Sequence, residues 1–324
     1  MAFEHYLNCG QKRLRMGYTT GTSATLAALA ATELIFSGEV PEAVSIITPK
    51  GLEVKLSPSS WERISDRAAA CGMIKDAGDD PDVTHGLEII AKIELLPSEE
   101  FQFVAGPGVG TVTLPGLDQA PGEAAINSVP RQMIRAAITS VFDKYGHSGG
   151  ARIEIAIPGG SEIAKKTFNP KLGIEGGLSI LGTSGIVEPM SEQALIDTIE
   201  LEIKRVAADG EDRLILTPGN YGKNFIALNN LQSSGVREVR FSNYLGASLD
   251  LVALHGLQEV LLVGHIGKFI KIAGGIMNTH SKMADCRLEL MLAHAALQGA
   301  STETIRKLNE APTTDAGLDI LAKA

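Results

Sequence analysis

The 324-residue chain is 44% hydrophobic and 21% charged, an ordinary globular composition with room for two domains or one large one and no need of staples to bury a core. Its net charge of -9 argues against a broad basic nucleic-acid surface, while a local basic pocket stays open. The opening MAFEHYLNCGQKRLR has no apolar segment that reads as a leader, and no run approaches the roughly 18 residues of a membrane span.

Cys9, Cys71 and Cys286 form no CxxC pair, which points away from a zinc ribbon or disulfide framework and toward a reducing, cytoplasmic setting. The glycines fall in clusters, the pattern of tight loops between elements.

In chain order, Leu26 to Phe36 reads as a helix, with GYTTGT as the loop before it. Val44 to Leu56, turning at PKG, predicts a hairpin. Ala68 to Ile74 and Leu87 to Leu95 predict strands flanking a long polar loop, and Gly106 to Leu114 a short strand. Ser128 to Tyr145 predicts a helix with Ile134, Ala137, Ile138, Val141 and Phe142 on one face and Pro130 in its first turn. Arg152 to Ile157 alternates as a strand, and GGLSILGTSGIVEPMS reads as a hinge.

The rhythm then changes. Glu192 to Ala207 reads as a helix, RLILTPGN as a strand, Asn224 to Gln232 as a helix and EVRFSN as a strand. Leu249 to His255 is again helical, EVLLVGHIG a strand, and Phe269 to Ala273 and Met283 to Leu297 helices. Such βαβαβ alternation predicts a parallel sheet with helices on both faces. Ligands of these sheets bind at the carboxyl ends of the strands. Here those ends read Thr217-Pro218-Gly219-Asn220, Ser242-Asn243 and Gly264-His265.

Several stretches carry chemistry-bearing residues. GYTTGT offers hydroxyls and free N–H groups before a helix, suited to a carboxylate or phosphate; a plain N-cap is the simpler reading. KDAGDDPDVTHG holds Asp76, Asp79, Asp80, Asp82 and His85, but departs from the EF-hand spacing; a solvated loop of Asx turns is the plain alternative. PGEAAINSVPRQMI places Asn127 and Arg131 at a helix start, where Arg131 can clamp a carboxylate or merely pair with Glu123. TPGNYG is neither a GxGxxG fingerprint nor a P-loop. NTHSKMADCRLE is read as a helix N-terminus at Met283, where His280 and Lys282 can take an anion with Asp285 orienting one of them; a capped turn with Ser281 as N-cap is the plain alternative. No G-x-S-x-G, H-E-x-x-H or CxxC motif occurs, so hydrolase and zinc-enzyme classes lose ground. These residues alone indicate a two-domain α/β protein acting on a small anionic ligand.

At these same motifs, together with SNYLGASLD and VGHIGKFIKIAGGIM, the chain resembles the cobalt-precorrin-5B C(1)-methyltransferases of anaerobic cobalamin biosynthesis. The matching stretches run from residue 17 to residue 289. One position departs: Ser23 stands where members often carry cysteine, which removes a nucleophilic thiol from the reading. The resemblance implies an α+β domain, placed at 1-188, followed by a Rossmann-like three-layer αβα domain with a mainly parallel sheet and C-terminal helices, placed at 189-324. It implies S-adenosylmethionine as methyl donor, a corrinoid acceptor whose cobalt belongs to the substrate, and no metal held by the protein. No nucleic-acid or membrane partner is expected, and a homo-oligomer is left open.

With that chemistry in view, donor contacts are expected at Thr217, Pro218, Gly219, Asn220, Gly222, Asn243, Gly264 and His265. Corrinoid carboxylates are expected at Thr19, Thr20, Gly21, Asn127, Arg131, Asn278 and Lys282. Proton handling is expected of Asp76, His85 and His280, with the acidic loop assigned to that role or to the donor's polar groups because its aspartates would repel a polycarboxylate. Two other classes compete: a corrinoid carrier without turnover, which would not need the donor, and a nucleotide-dependent oxidoreductase, which the missing GxGxxG fingerprint disfavours.

Overall fold

The computed structural model describes residues 3–9, 12–167, 169–231 and 235–324. The chain divides into two compact units, Met1–Ser191 and Glu192–Ala324.

The first unit opens with a hairpin of β1 (Tyr6–Cys9) and β2 (Lys12–Arg15), then β3 (Gly17–Tyr18) and helix α1 (Thr20–Ser37). A second hairpin, β4 (Val44–Ile47) and β5 (Glu53–Leu56), falls where PKG predicted it. Then come β6 (Ser60–Ser65), β7 (Ala68–Ile74), β8 (Glu88–Leu96), β9 (Phe101–Ala105), β10 (Thr111–Val112), helix α2 (Ser128–Tyr145) and β11 (Gly150–Ala156). The main sheet has the order β6-β7-β8-β11-β9. Its pairs are antiparallel except β11 with β9, which are parallel and joined through α2.

Period-two alternation builds the core. Ala69, Cys71 and Met73 of β7, Ile89, Ala91 and Ile93 of β8, and Ile153 and Ile155 of β11 are all fully buried. α1 lies across β7 and β8 and against α2. Ala24, Ala27, Ala28 and Ala31 let it approach closely, and none has any exposure. α2 buries the predicted stripe, Ile134, Ala137, Ile138, Val141 and Phe142. Truncating one such isoleucine to alanine costs about 2–5 kcal/mol.

The unit closes with α3 (Gly160–Ala164), β12 (Ile174–Glu175) and β13 (Ile186–Val187). The GGLSILGTSGIVEPMS passage, expected as a hinge, is instead woven into this unit. β13 pairs with β3, and Leu178, Ile180 and Ile186 are buried. Its glycines serve close approach: a Cβ on Gly177 would stand 2.3 Å from the Gly108 backbone. GYTTGT is likewise not a loop, because α1 begins at Thr20.

The second unit runs α4 (Glu192–Ala208), β14 (Arg213–Thr217), α5 (Asn220–Leu228), β15 (Arg237–Arg240), α6 (Leu245–Leu254), β16 (Glu259–Leu262), α7 (Ile266–Ala273), α8 (Arg287–Leu297), α9 (Thr302–Asn309) and α10 (Thr314–Ala322). Its three strands are parallel in the order β15-β14-β16. Leu214 and Leu216 pack with Ile199, Ile203, Val239 and Val252, while Ile215 packs with Ile226 and Val263, so both faces of β14 are covered. The last helices gather around Met291, Ala295 and Leu308. α5, α6 and α7 start several residues earlier than periodicity suggested, since glycines in their first turns hid the starts. The expected end of α5 at Gln232 lies outside the described residues. No helix among the described residues is long and apolar enough to cross a membrane.

Candidate functional site

The carboxyl ends of β14, β15 and β16 gather the residues expected to contact the donor. Thr217 is fully buried, and its hydroxyl donates to the Gly219 carbonyl at 3.3 Å. A Cβ on Gly222 would stand 1.8 Å from Thr217 Oγ1 and 2.7 Å from the Val263 carbonyl, so this glycine seats α5 directly on the strand ends. Gly264 does similar packing work, facing the Phe269 ring at 2.5 Å from a built Cβ. Gly219 differs. Its φ of 166° is ordinary extended backbone, and its Cβ direction meets nothing within 4 Å. Gly219 thus faces open space, flanked by Pro218 and the exposed Asn220. His265 caps α7: its Nδ1 accepts the Gly267 N–H at 3.1 Å, which puts the proton on Nε2, 3.3 Å from Asp315 Oδ1.

Asn278–Lys282 runs along the same edge. The Thr279 N–H donates to the Asn243 carbonyl at 2.9 Å, the Gly246 N–H donates to the Met277 carbonyl at 3.1 Å, and Tyr244 and Asn278 form a bridge. The helix expected from Met283 begins at Arg287, with Cys286 as its N-cap at φ 52° and no side-chain cap bond. One residue in the left-handed region interrupts what periodicity joined. Ser281 is thus not the cap, and neither His280 nor Lys282 stands at a helix N-terminus. The stretch is a tight loop of its own: the His280 N–H donates to Asn278 Oδ1 at 3.1 Å, and the Lys282 N–H donates to His280 Nδ1 at 3.0 Å. His280 Nε2 carries the ring proton, and the Lys282 side chain is exposed.

Two lysines that motif reading passed over hold this edge together. Lys271 is 2% exposed, and its ammonium donates to the Thr279 and Ala284 carbonyls at 3.1 and 2.7 Å. Lys268, one turn earlier, donates to the Ser242 carbonyl at 3.1 Å and to Asn243 Oδ1 at 2.9 Å. Ser242 adopts φ 56°, left-handed backbone rarely used by residues other than glycine, and so turns its carbonyl toward that ammonium. Burial and the neighbouring Lys271 charge hold the Lys268 ammonium below the usual lysine range. The signal was present in GKFIKIA: lysines three apart on one helix share a face. A groove lined by Arg213, Val236 and Glu259 opens toward the amino ends of the strands and contains none of these residues.

In the first unit two of the four aspartates of the acidic loop, Asp76 and Asp82, pair with cations. Arg15 grips Asp76 with two bonds, 2.5 and 2.8 Å, and its backbone N–H donates to Asp79 at 2.7 Å. Lys75, 1% exposed, pairs with Asp82 at 2.5 Å, and Asp82 also accepts the Thr84 N–H and hydroxyl at 2.8 and 2.6 Å. The Asp76 carboxyl is held below its usual range, first by the Arg15 bonds, against burial, and with help from the Gly78 N–H. For Asp82, burial pushes upward, but the Lys75 charge and bonds with the Thr84 bonds win, and the net shift is down. Asp80 is pushed up by burial, which the Met190 N–H only partly offsets. Asp76 and His85 do meet: His85 Nδ1 lies 3.6 Å from Asp76 Oδ1 and accepts the Ala77 N–H at 3.1 Å. Nδ1 is therefore committed, on a ring that is half-exposed. No group of His, Cys, Asp and Glu among the described residues is arranged to hold a metal ion.

The other expected anion contacts of this unit are largely engaged by protein. Thr19 Oγ1 accepts the Thr22 N–H as the cap of α1. Thr20 Oγ1 donates to the Leu181 carbonyl and accepts its N–H, and Gly21 packs on Pro130. Arg131 donates to the Ile126 and Ala124 carbonyls at 2.8 and 3.1 Å and lies 3.6 Å from Glu123. Asn127 precedes α2 without a side-chain cap bond; Asp118 accepts the Ser128 N–H instead, at 2.6 Å.

Residues 7–189 match the family model described as CbiD, and residues 278–324 match that described as CbiD, C-terminal domain. A Thermoanaerobacter sp. protein named cobalt-precorrin-5B C(1)-methyltransferase is 46% identical over 319 residues, 97% of this chain and 84% of that one. Its namesake from Ruminiclostridium cellulolyticum is 47% identical over 312 residues, 96% of this chain and 80% of that one. A crystal structure of cobalamin biosynthesis protein (cbiD) from Archaeoglobus fulgidus matches at 28% identity over 86% of each chain, with a TM-score of 0.45. With more than half its length under one family model and relatives of this identity along nearly all of it, the chain belongs to the CbiD family.

Proposed function

We propose that the chain methylates cobalt-precorrin-5B at C-1, using S-adenosylmethionine and forming cobalt-precorrin-6A in anaerobic cobalamin biosynthesis. The observation that carries this reading is the shared name of relatives 46% and 47% identical along nearly the whole chain. The donor supplies an electrophilic methyl group; the C–S bond breaks as the carbon–carbon bond forms, and the electron pair stays on sulfur. Such a displacement asks the protein for alignment rather than a covalent nucleophile, consistent with Ser23 being buried in α1.

The second unit, with its parallel strands and helices on both faces, fits a Rossmann-like reading. Its carboxyl edge suits the donor. Gly219 leaves room for close approach, Asn220, Asn243 and His265 bring polar atoms to the carboxyl ends of the strands, and buried Thr217 supports the turn through its bond to the Gly219 carbonyl. Gly222 and Gly264 act there through packing. Asn278, His280 and Lys282 border the same edge as groups for an anionic macrocycle, His280 with Nε2 free of backbone bonds. In the first unit, the Arg15 bonds make Asp76 a weak base near neutrality, so His85 is its candidate for proton transfer, with the Ala77 N–H fixing the ring through Nδ1. Thr19, Thr20, Gly21 and Arg131 shape that unit, and Asn127 keeps a side chain available.

The test is an anaerobic assay with purified cobalt-precorrin-5B and methyl-labelled S-adenosylmethionine. Label in the corrinoid, with a mass gain of one CH2, supports the reading. Corrinoid binding without donor binding would identify a carrier.

A further inference from the structure

The second unit contains two neighbouring ammonium groups that its own carboxylates do not neutralise. Lys268 and Lys271 lie three residues apart on α7. Every acceptor of their hydrogen bonds is neutral: the carbonyls of Ser242, Thr279 and Ala284, and the Asn243 amide oxygen. Among the described residues neither forms an ion pair with Asp or Glu. The acid that feels the Lys271 charge, Asp285, is already gripped by Arg287 at 2.5 and 3.1 Å. His265, at the start of the same helix, has its own acid in Asp315.

The two lysines differ in access. Lys271 is shut away, and its bonds fix the carbonyls of the 279–284 loop. Lys268 is only partly covered, and it stands at the carboxyl ends of the strands, where Asn243 and the left-handed Ser242 meet it. A partly dehydrated ammonium next to a second one is costly unless an anion joins it. Burial and the Lys271 charge already destabilise its charged form.

We propose that Lys268, aimed by Ser242 and Asn243 and backed by Lys271, binds a carboxylate of a reactant. The inference rests on the methyltransferase reading and adds to it the residue that receives the charge. Two reactants carry such a group: the donor, in its amino-acid portion, and the macrocycle, in its acetate and propionate arms. Lys271 is a positioning residue in this scheme.

The test uses the full chain and Lys268→Gln, which keeps an amide donor for Ser242 and removes the charge, with Lys268→Arg as the charge-retaining control. Calorimetry compares S-adenosylhomocysteine with 5′-methylthioadenosine, which shares the nucleoside thioether and lacks the carboxylate. If the donor is the source, Lys268→Gln weakens S-adenosylhomocysteine by about tenfold or more, leaves 5′-methylthioadenosine unchanged, and Lys268→Arg restores most of the loss. If the macrocycle is the source, both nucleoside affinities stay at wild type while KM for the corrinoid rises by a similar factor. The proposal is overturned if all three quantities stay within about threefold of wild type, or if both nucleosides weaken equally. A wild-type chain that neither binds S-adenosylhomocysteine nor methylates overturns the methyltransferase reading itself and this inference with it; normal wild-type turnover beside an indifferent Lys268→Gln removes the lysine alone.

Discussion

Replacing Asp82 by Asn separates the structural from the chemical meaning of the acidic loop. Lys75 is 1% exposed, and its ammonium meets Asp82 at 2.5 Å. Asn keeps the shape and the acceptor for Thr84 but strands the Lys75 charge. Breaking a buried pair costs about 3–5 kcal/mol; Asp82 is itself 25% exposed, so water relieves part, and about 2–3 kcal/mol is the expected loss. Lys75→Met combined with Asp82→Asn should recover most of it, because no charge is then left alone. The pH dependence has a definite sign. The folded-state carboxyl lies below its unfolded value of about 3.9, so its stabilisation is full above that value and is lost as pH falls through the folded one. Urea unfolding of the full chain, followed by far-UV circular dichroism from neutral pH into the acid range, reads both effects. A single variant within about 0.5 kcal/mol of wild type at neutral pH, with an unchanged acid limb, would refute the reasoning.

Gly219→Val should leave the melting temperature unchanged, because the Cβ enters open space and φ is extended, yet weaken S-adenosylhomocysteine by about tenfold or more; unchanged calorimetric affinity removes this turn from the donor site. His280→Ala and Lys282→Ala should each lower methylation about tenfold with little change in donor affinity, whereas Ser281→Ala should be silent in stability because Ser281 caps no helix; wild-type turnover in the first two variants returns the stretch to plain structure. Burial pushes the Cys71 thiol up to about 12, so iodoacetamide at mildly alkaline pH should alkylate exposed Cys286 and spare Cys71 until the chain is unfolded, as peptide mass mapping would read.

Legibility in the sequence followed the physics of each signal. α2 was read to the residue, because its apolar stripe, early proline and terminal glycine all agree. β7 and β8 were also plain from their runs of apolar and β-branched residues. Helix starts in the second unit were hidden wherever the first turn contains glycine, since Gly222 and Gly246 look like breakers and are in fact close-packing positions. The false helix start at Met283 has another cause: nothing in the letters marks Cys286 as left-handed. At the candidate site, polar clusters were visible, but their commitments were not. Sequence shows that KDAGDDPDVTHG holds four aspartates; only tertiary structure supplies Arg15, from 61 residues away, to engage Asp76. Lys268 and Lys271 were overlooked for the converse reason, as lysines on an amphipathic helix normally face solvent.

That contrast bears on how an acidic protein can take an acidic ligand. A net charge of -9 sets an unfavourable far field for a polycarboxylate, but recognition depends on the charges left unpaired at the point of contact. In the acidic loop, Arg15 and Lys75 spend their charge inside the first unit, one on Asp76 and the other on Asp82. At the carboxyl edge of the second unit, Lys268 and Lys271 each donate two hydrogen bonds to neutral oxygens while remaining uncompensated as charges. Neutral carbonyls can hold an ammonium in place without cancelling its field, whereas a carboxylate does both. An edge organised in the first way stays receptive to an anion, and a loop organised in the second way does not. The polar stretch that follows α7 is therefore best understood through the lysine beneath it: Lys271 ties the Thr279 and Ala284 carbonyls down, and Asn243, which accepts from Lys268, also accepts the Thr279 N–H of the loop that carries His280 and Lys282.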